Sequence, residues 1–131
     1  MRRSGTCASA SRPTTRSSSA SGPAGYDVIE EVGVERIRER SVEQTTLLIE
    51  LLEEAGFEPG SPRDADRRGG TVVVKTPGFA EVNRELAGRG ILVDCRPETG
   101  LRLGPHFYNT DDELRFAVEQ ISELAVAEQR A

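Results

Sequence analysis

Apolar residues recur at steps of three and four positions between residues 34 and 55, with glutamate and arginine between them. This spacing places the apolar side chains on one side of a helix of about six turns. Gly56 follows, and glycine is common just past a helix end because it adopts the left-handed backbone conformation at little cost. Leu47 and Leu51 add a second apolar stripe, so the pattern predicts a long helix that is buried on more than one side.

Three shorter runs have the character of strands. Residues 71–75 are rich in valine and end at a Thr-Pro pair, where proline has no N–H for a sheet hydrogen bond. Two further apolar runs, residues 91–93 and 101–103, predict two more strands. Pro97 and Gly100 lie between these two runs and predict a turn that joins them.

Helical spacing returns after the first and the last of these strands. The apolar positions of residues 79–87 predict a short helix that is stopped by one of the glycines beyond it. A final helix has an inward face that runs from Leu114 to Ala125. Thr110 and Glu113 have the spacing of a capping box, which marks the start of this last helix.

The predicted order is helix, strand, helix, strand, strand, helix. The economical arrangement packs the helices on one face of a small, mainly antiparallel sheet, which is an α+β fold that begins with the long helix. A disordered tail, residues 1–25, is expected before it. This tail is rich in Ser, Gly, Pro and Arg and has no Val, Ile, Leu, Phe or acidic residue, so it cannot offset the entropy of ordering. Residues 26–131 form the single predicted domain.

Charge and composition exclude several classes of function. The chain of 131 residues has a formal net charge of −5, and four arginines lie in the tail, which leaves −9 for the predicted domain. Phosphate binding needs clustered Lys and Arg, so no nucleic-acid partner is expected. No apolar run reaches the roughly 20 residues that span a bilayer, and none resembles a secretory signal, so we expect a cytoplasmic protein with no membrane partner. Cys7 and Cys95 have the spacing of neither a disulfide framework nor a metal site.

The stretch from residue 90 to residue 114 carries a more specific pattern. Its members are Asp94, Arg96, Pro97, Leu101, Arg102, Leu103, Pro105, Tyr108, Asn109 and Thr110. Their order resembles the closing segment of class V aminotransferase-type enzymes, which use pyridoxal phosphate (PLP), and within them it is most similar to kynureninase. The resemblance covers roughly residues 26 to 130 and implies the small C-terminal domain of a fold-type-I PLP enzyme, without the half that holds the cofactor.

Arg102 is the candidate substrate-binding residue. It lies between Leu101 and Leu103 on an alternating strand, so its side chain points away from the face that those two bury. Its guanidinium offers two parallel donors to a carboxylate and stays charged at any working pH. The resemblance implies that this arginine binds the α-carboxylate of an amino-acid substrate at a cleft between two domains. Spacing alone also allows an exposed strand arginine that pairs with a surface glutamate.

No residue is assigned to catalysis, to cofactor binding or to a metal. Lys75 is the only lysine, and a PLP enzyme needs one for its Schiff base, but its context does not match that of the Schiff-base lysine in the resembling family. We interpret His106, Tyr108 and Asn109 as structural residues of the corner before the last helix. Cys95 lacks the neighbouring Gly and His of a desulfurase cysteine and is predicted to lie half-buried at a strand end.

The resemblance implies PLP in the complete enzyme and none bound by this chain alone. A kynureninase-type parent would hydrolyse the β,γ carbon–carbon bond of a kynurenine-type amino acid. An aminotransferase, cysteine desulfurase or epimerase of the same superfamily is the alternative enzyme, and a truncated, non-catalytic α+β interaction module is the third interpretation. The dimers of the resembling family, together with the second stripe through Leu47 and Leu51, predict a homodimer that forms through the 34–55 helix.

Overall fold

The computed structural model describes residues 22–130. Two helices open this part, α1 (Gly22–Val32) and α2 (Val34–Glu54), and a 3₁₀ turn follows at Ala65–Arg67. The remaining elements, in chain order, are β1 (Val72–Val74), α3 (Phe79–Gly88), β2 (Asp94–Arg96), β3 (Gly100–Leu103) and α4 (Asp111–Arg130). Helices combined with a small antiparallel sheet of three strands confirm the predicted α+β class.

The sheet has β3 at its centre, paired antiparallel with β1 on one side and with β2 on the other. In this register Leu101 lies opposite Val74, and Arg102 lies opposite both Val73 and Asp94. Successive side chains of a strand point to opposite faces. The sheet therefore has one buried face, which contains Leu101, and one open face with Arg102 at its centre.

The hydrophobic core lies between the buried face of the sheet and the helices. Helices α2 and α3 pack against the strands, and α4 packs against both of these helices. Fully buried apolar side chains come from every layer: Leu48, Leu52, Val72, Val74, Val82, Leu86, Leu101 and Ile121. Each such residue stabilises the fold by about 1.5–3 kcal/mol relative to exposure. Within residues 22–130, no helix has both the length and the apolar character that crossing a membrane demands.

The long helix α2 has nearly the predicted limits and is buried on more than one side, as predicted. It is followed by Ala55 as its C-cap and then by Gly56 at φ 86°, in agreement with the glycine stop. The stripe through Leu47 and Leu51, which the sequence predicts as a dimer surface, is partly buried because both side chains pack against the core. Contacts of α2 with β1 and with α4 explain why this helix is covered on more than one side.

The strand predicted at residues 91–93 lies three residues later, in β2. The register of β2 with β3 places Asp94 opposite Arg102, and its continuation would place residue 91 opposite Pro105. Pro105 has no N–H to donate, and the chain leaves the sheet after Leu103, so pairing stops before residue 91 is reached. Ile91 contacts the core from irregular backbone instead.

Helix α1 extends further toward the N-terminus than composition indicated. Residues 22–25, which the composition placed in the tail, form its first turn. Pro23 fits there because the missing N–H has no partner inside a helix at that position. None of the α1 residues is buried, so this helix rests on its own backbone hydrogen bonds rather than on the core. The rest of the predicted tail lies outside the described residues.

Candidate functional site

Arg102 lies on the open face of the central strand. Its neighbours along β3, Leu101 and Leu103, are 0% and 4% exposed on the opposite face, whereas the Arg102 side chain retains 39% exposure. Val73 flanks it from β1 and Asp94 from β2. The strand therefore anchors the backbone of Arg102 in the core and presents its guanidinium to the outside, as the alternation of apolar residues predicted.

Asp94 links Arg102 to a second arginine. The Nη1 group of Arg102 and the Nε group of Arg96 each donate to Asp94 Oδ2 at 3.1 Å. The other carboxylate oxygen, Oδ1, accepts the backbone N–H of Cys95 at 2.9 Å. Both oxygens of Asp94 are therefore engaged, and the carboxylate is fixed between two guanidinium groups on one face of the sheet.

A shallow groove of about 460 Å³ lies over this cluster. Its lining comprises Val73, Arg96, Pro97, Glu98, Thr99 and Arg102, so it combines two guanidiniums with an apolar floor and one carboxylate at the turn. Among residues 22–130 no group accepts a hydrogen bond from Nε or Nη2 of Arg102. This edge of the guanidinium carries the two parallel donors that bind a carboxylate in bidentate geometry.

The corner that follows β3 is built by local hydrogen bonds. Asn109 Oδ1 accepts the backbone N–H of His106 at 2.8 Å, and the predicted capping box forms between Thr110 and Glu113 in both directions, at 2.9 and 3.2 Å. The pKa of the Glu113 carboxyl lies below its ordinary value, mainly because the carboxylate accepts the backbone N–H of Thr110 and, to a smaller extent, the side-chain amide of Asn109. The exposed ring of His106 stacks on Tyr108 with centroids 5.0 Å apart.

Two side chains of α2 hold this corner against the long helix. Gln44 Nε2, fully buried, donates to the carbonyl oxygens of His106 at 2.8 Å and Asn109 at 3.0 Å. Arg40 Nη2 donates to the Asp111 carboxylate at 2.7 Å, at the start of α4. These bonds fix the path of the chain directly after β3 and thereby limit the movement of the strand that carries Arg102.

Sequence reasoning missed a buried arginine that is bonded to α2. Arg68, 5% exposed, donates to the hydroxyls of Thr45 and Thr46 at 3.0 and 2.8 Å. It also donates to the carbonyl oxygens of Pro62 and Arg63 at 3.0 and 2.7 Å. All these acceptors are neutral, so Arg68 fastens the loop before β1 to α2. A pair of threonines on a helix and an arginine in a glycine-rich loop gave no pattern that would have indicated it.

The other candidates from the sequence do not join Arg102. Lys75 follows β1 with its side chain exposed, and within residues 22–130 it makes no hydrogen bond or ion pair. Cys95 lies in β2 on the buried face, at 9% exposure, so it is more deeply buried than predicted. His106 belongs to the corner. Asp94 and Arg96, which the sequence indicated only as parts of the motif, are the residues that the structure places beside Arg102.

The sequence of this chain is similar to that of known proteins. The family described as the kynureninase C-terminal domain matches residues 37–121. The kynureninase of Bacillus anthracis is 32% identical over 93 residues, which cover 67% of this chain and 22% of that protein. The kynureninase of Geobacillus thermodenitrificans is 31% identical over 108 residues, which cover 79% of this chain and 25% of that protein. The chain thus spans about a quarter of the length of these curated relatives.

A solved structure shows the same fold. The apo cysteine desulfurase from Thermococcus onnurineus NA1 superposes with a TM-score of 0.71 and 24% identity, over 79% of this chain and 30% of that one. The family match covers more than half of the chain and includes the whole cluster around Arg102. It confirms the resemblance seen in the sequence, and the chain belongs to the kynureninase C-terminal domain family.

Proposed function

We propose that this chain carries the site that binds the substrate carboxylate in a kynureninase-type enzyme, and that Arg102 is the residue that binds it. In the complete enzyme the substrate is an amino acid of the kynurenine type, and the reaction is hydrolysis of its β,γ carbon–carbon bond. The observation that carries the proposal is the placement of Arg102. Its Nη1 group donates to Asp94, Nε and Nη2 have no acceptor among residues 22–130, and the residue lines the groove.

The residues of this chain do not by themselves fit PLP. The cofactor supplies an electron sink when an enzyme holds it through a lysine and an acidic partner. Lys75 is the only lysine, is exposed, and has no acidic partner within the described part of the chain. We therefore assign carboxylate binding to this chain and place PLP in the complete enzyme only, outside the residues described here.

Two alternative functions are supported by other observations. A class V aminotransferase, cysteine desulfurase or epimerase would use the same arginine for its substrate carboxylate, and the likeness of fold to a cysteine desulfurase is consistent with that. A non-catalytic interaction module is supported by a different observation, the isolated position of Lys75. A homodimer remains part of the proposal, and the partial burial of Leu47 and Leu51 against the core reduces the apolar surface that their stripe offers to a second copy.

Binding of L-kynurenine to the purified chain, followed by NMR of the arginine Nε–H signals, tests the proposal. L-kynurenine should shift the Arg102 signal, whereas kynuramine, the amine that lacks only the carboxylate, should not. A single, partly solvated guanidinium supports an affinity in the millimolar range. Arg102→Ala should weaken binding at least fivefold, because a bidentate charge-assisted pair is lost.

Arg84→Ala provides the matched control. Arg84 is an exposed arginine that pairs with Glu81 within α3, so its removal changes the net charge equally without touching the groove. Equal loss of kynurenine binding in Arg84→Ala and Arg102→Ala would show that only overall charge matters. Equal shifts by kynurenine and kynuramine would show that the carboxylate is not recognised. Either result would remove the basis of the proposal.

A further inference from the structure

We propose that Asp94 is a positioning residue that holds Arg102 and Arg96 together as a clamp for one carboxylate. The inference rests on the proposed function and extends it. It assigns a role to Asp94 and Arg96, which the sequence indicated only as members of the motif. Arg102 and Arg96 then bind the same anion from two sides. The expected ligand is a monocarboxylate, because its single negative charge suits the charge of this cluster.

The geometry around Asp94 supports a positioning role. The residue sits opposite Arg102 in the register, and its Oδ1 accepts the following backbone N–H at 2.9 Å, which fixes the carboxylate over the sheet. Its Oδ2 then accepts from both arginines, each at 3.1 Å. Only Nη1 of Arg102 and Nε of Arg96 are used in this way. The remaining donors of both guanidiniums have no hydrogen-bond acceptor among residues 22–130, and both arginines line the same groove.

The charge of the cluster indicates what it binds. The two guanidiniums and Asp94 together carry one positive charge, and Glu98 brings the groove as a whole to zero, so the groove favours an anion of low charge such as a monocarboxylate. A dianion would leave an uncompensated negative charge next to Asp94, and Glu98 at the rim of the same groove would add to the repulsion. Asp94 thus does two things at once. It orients the arginines, and it lowers their combined charge to match an anion of charge −1.

A cross-strand ion pair with no role in binding is the competing explanation. Opposite charges on neighbouring strands are common, and exposed pairs contribute little to stability. Such a pair would not need one carboxylate oxygen shared between two arginines, nor both arginines at one groove. The two explanations differ in what happens to the arginines, and to anion binding, when Asp94 is changed.

The experiment uses the purified chain with sodium benzoate as the probe. Arginine Nε–H and Nη–H signals are recorded for the wild type, Asp94→Asn and Glu98→Gln. In the wild type, the Arg102 and Arg96 side chains should show restricted rotation, and benzoate should shift the Nε–H signals of both. Asp94→Asn should release both side chains. Glu98→Gln should leave them restricted, because Glu98 lines the groove but forms no hydrogen bond or ion pair with either arginine.

Benzoate affinity then separates positioning from charge. Asp94→Asn and Glu98→Gln each remove one negative charge from the groove and replace it with an amide of the same shape. Ordering a free arginine side chain on binding weakens affinity by about three- to tenfold, so Asp94→Asn should bind benzoate at least threefold more weakly than Glu98→Gln. Asp94→Glu is the second variant. It keeps the charge but moves the carboxylate by one methylene, and it should bind benzoate more weakly than the wild type does.

The outcomes are distinguishable. Equal affinities in Asp94→Asn and Glu98→Gln, with Arg102 still restricted in both, would overturn the positioning role while leaving Arg102 as a carboxylate ligand. A benzoate shift confined to Arg102 would overturn the clamp. Failure of the proposed function itself appears elsewhere, as kynurenine binding that survives Arg102→Ala. If Asp94→Asn does not fold, Asp94→Glu compared with the wild type decides the question alone.

Discussion

Gly100 lies in the hairpin that presents Arg102. Among the glycine-to-alanine substitutions compared below, Gly100→Ala should lower the stability of the chain most. Gly100 has φ 89°, in the left-handed region that side chains disfavour. A Cβ added here would lie 2.6 Å from the carbonyl oxygen of Val74 and 2.9 Å from the Cα of Lys75. Both are backbone atoms of β1, so no side-chain rotation can relieve the contact. The strands β1 and β3 would have to separate next to Arg102.

The loss of stability in Gly100→Ala has two contributions, one from the backbone conformation and one from the contact with β1. Substitutions of other glycines measure these contributions separately. The left-handed backbone costs a non-glycine residue about 1–2 kcal/mol, and forcing extra volume into packed structure costs about 1–3 kcal/mol. Gly100→Ala should therefore lower the free energy of unfolding by about 2–5 kcal/mol. Gly56 has φ 86° with nothing within 4 Å of an added Cβ, so Gly56→Ala should show the backbone contribution alone.

Gly88 completes the series as the control. It lies in the last turn of α3, its φ is not in the left-handed region, and nothing lies within 4 Å of an added Cβ. Gly88→Ala should be neutral or stabilise the chain by about 0.4–1 kcal/mol, because alanine restricts the unfolded state. Urea unfolding followed by circular dichroism gives all three values. Equal losses for Gly100→Ala and Gly56→Ala would refute the contact with β1, and a neutral Gly100→Ala would refute both contributions.

Three further outcomes are expected. The purified chain should bind no PLP, and absorbance at about 400–430 nm that survives dialysis and disappears in Lys75→Ala would contradict this. The pKa of Glu113 is lowered in the folded chain, so its contribution to stability is present above its ordinary pKa and is lost as pH falls through the lowered pKa. Glu113→Gln should therefore reduce the loss of stability at acid pH, as measured by urea unfolding at several pH values. Leu47→Glu with Leu51→Glu should unfold the chain rather than dissociate a dimer, and sedimentation of a folded monomer would show that both side chains tolerate water.

Periodicity predicted the elements whose burial is one-sided. The apolar steps of α2 and α4, and the alternation around Arg102, matched the structure because the spacing of apolar residues determines which side chains an element can bury together. The capping box at Thr110 and Glu113 formed as spacing indicated, since it depends only on local geometry. The open-face position of Arg102 followed from the same alternation.

Features that depend on tertiary register were not predictable in this way. The apolar run at residues 91–93 has strand composition, yet the partner strand is only four residues long and ends near Pro105, so pairing begins at Asp94. The covering of Leu47 and Leu51 depends on where β1 and α4 meet α2, which periodicity along one helix does not contain. The four donations of Arg68 go to acceptors from two separate segments that only the folded chain brings together.

Arg102 owes its position to packing among the described residues of this chain. Its two neighbours on β3 are buried, the flanking strands hold it from both sides, and the corner after it is bonded to α2 through Gln44. To move Arg102, the chain would have to expose Leu101 and Leu103 or break the Gln44 bonds. Carboxylate recognition is therefore expected to depend on local packing, whereas the cofactor chemistry of the family needs a lysine in a setting that Lys75 does not have. The proposed carboxylate site therefore depends on residues 22–130 alone, whereas PLP chemistry would depend on residues outside them.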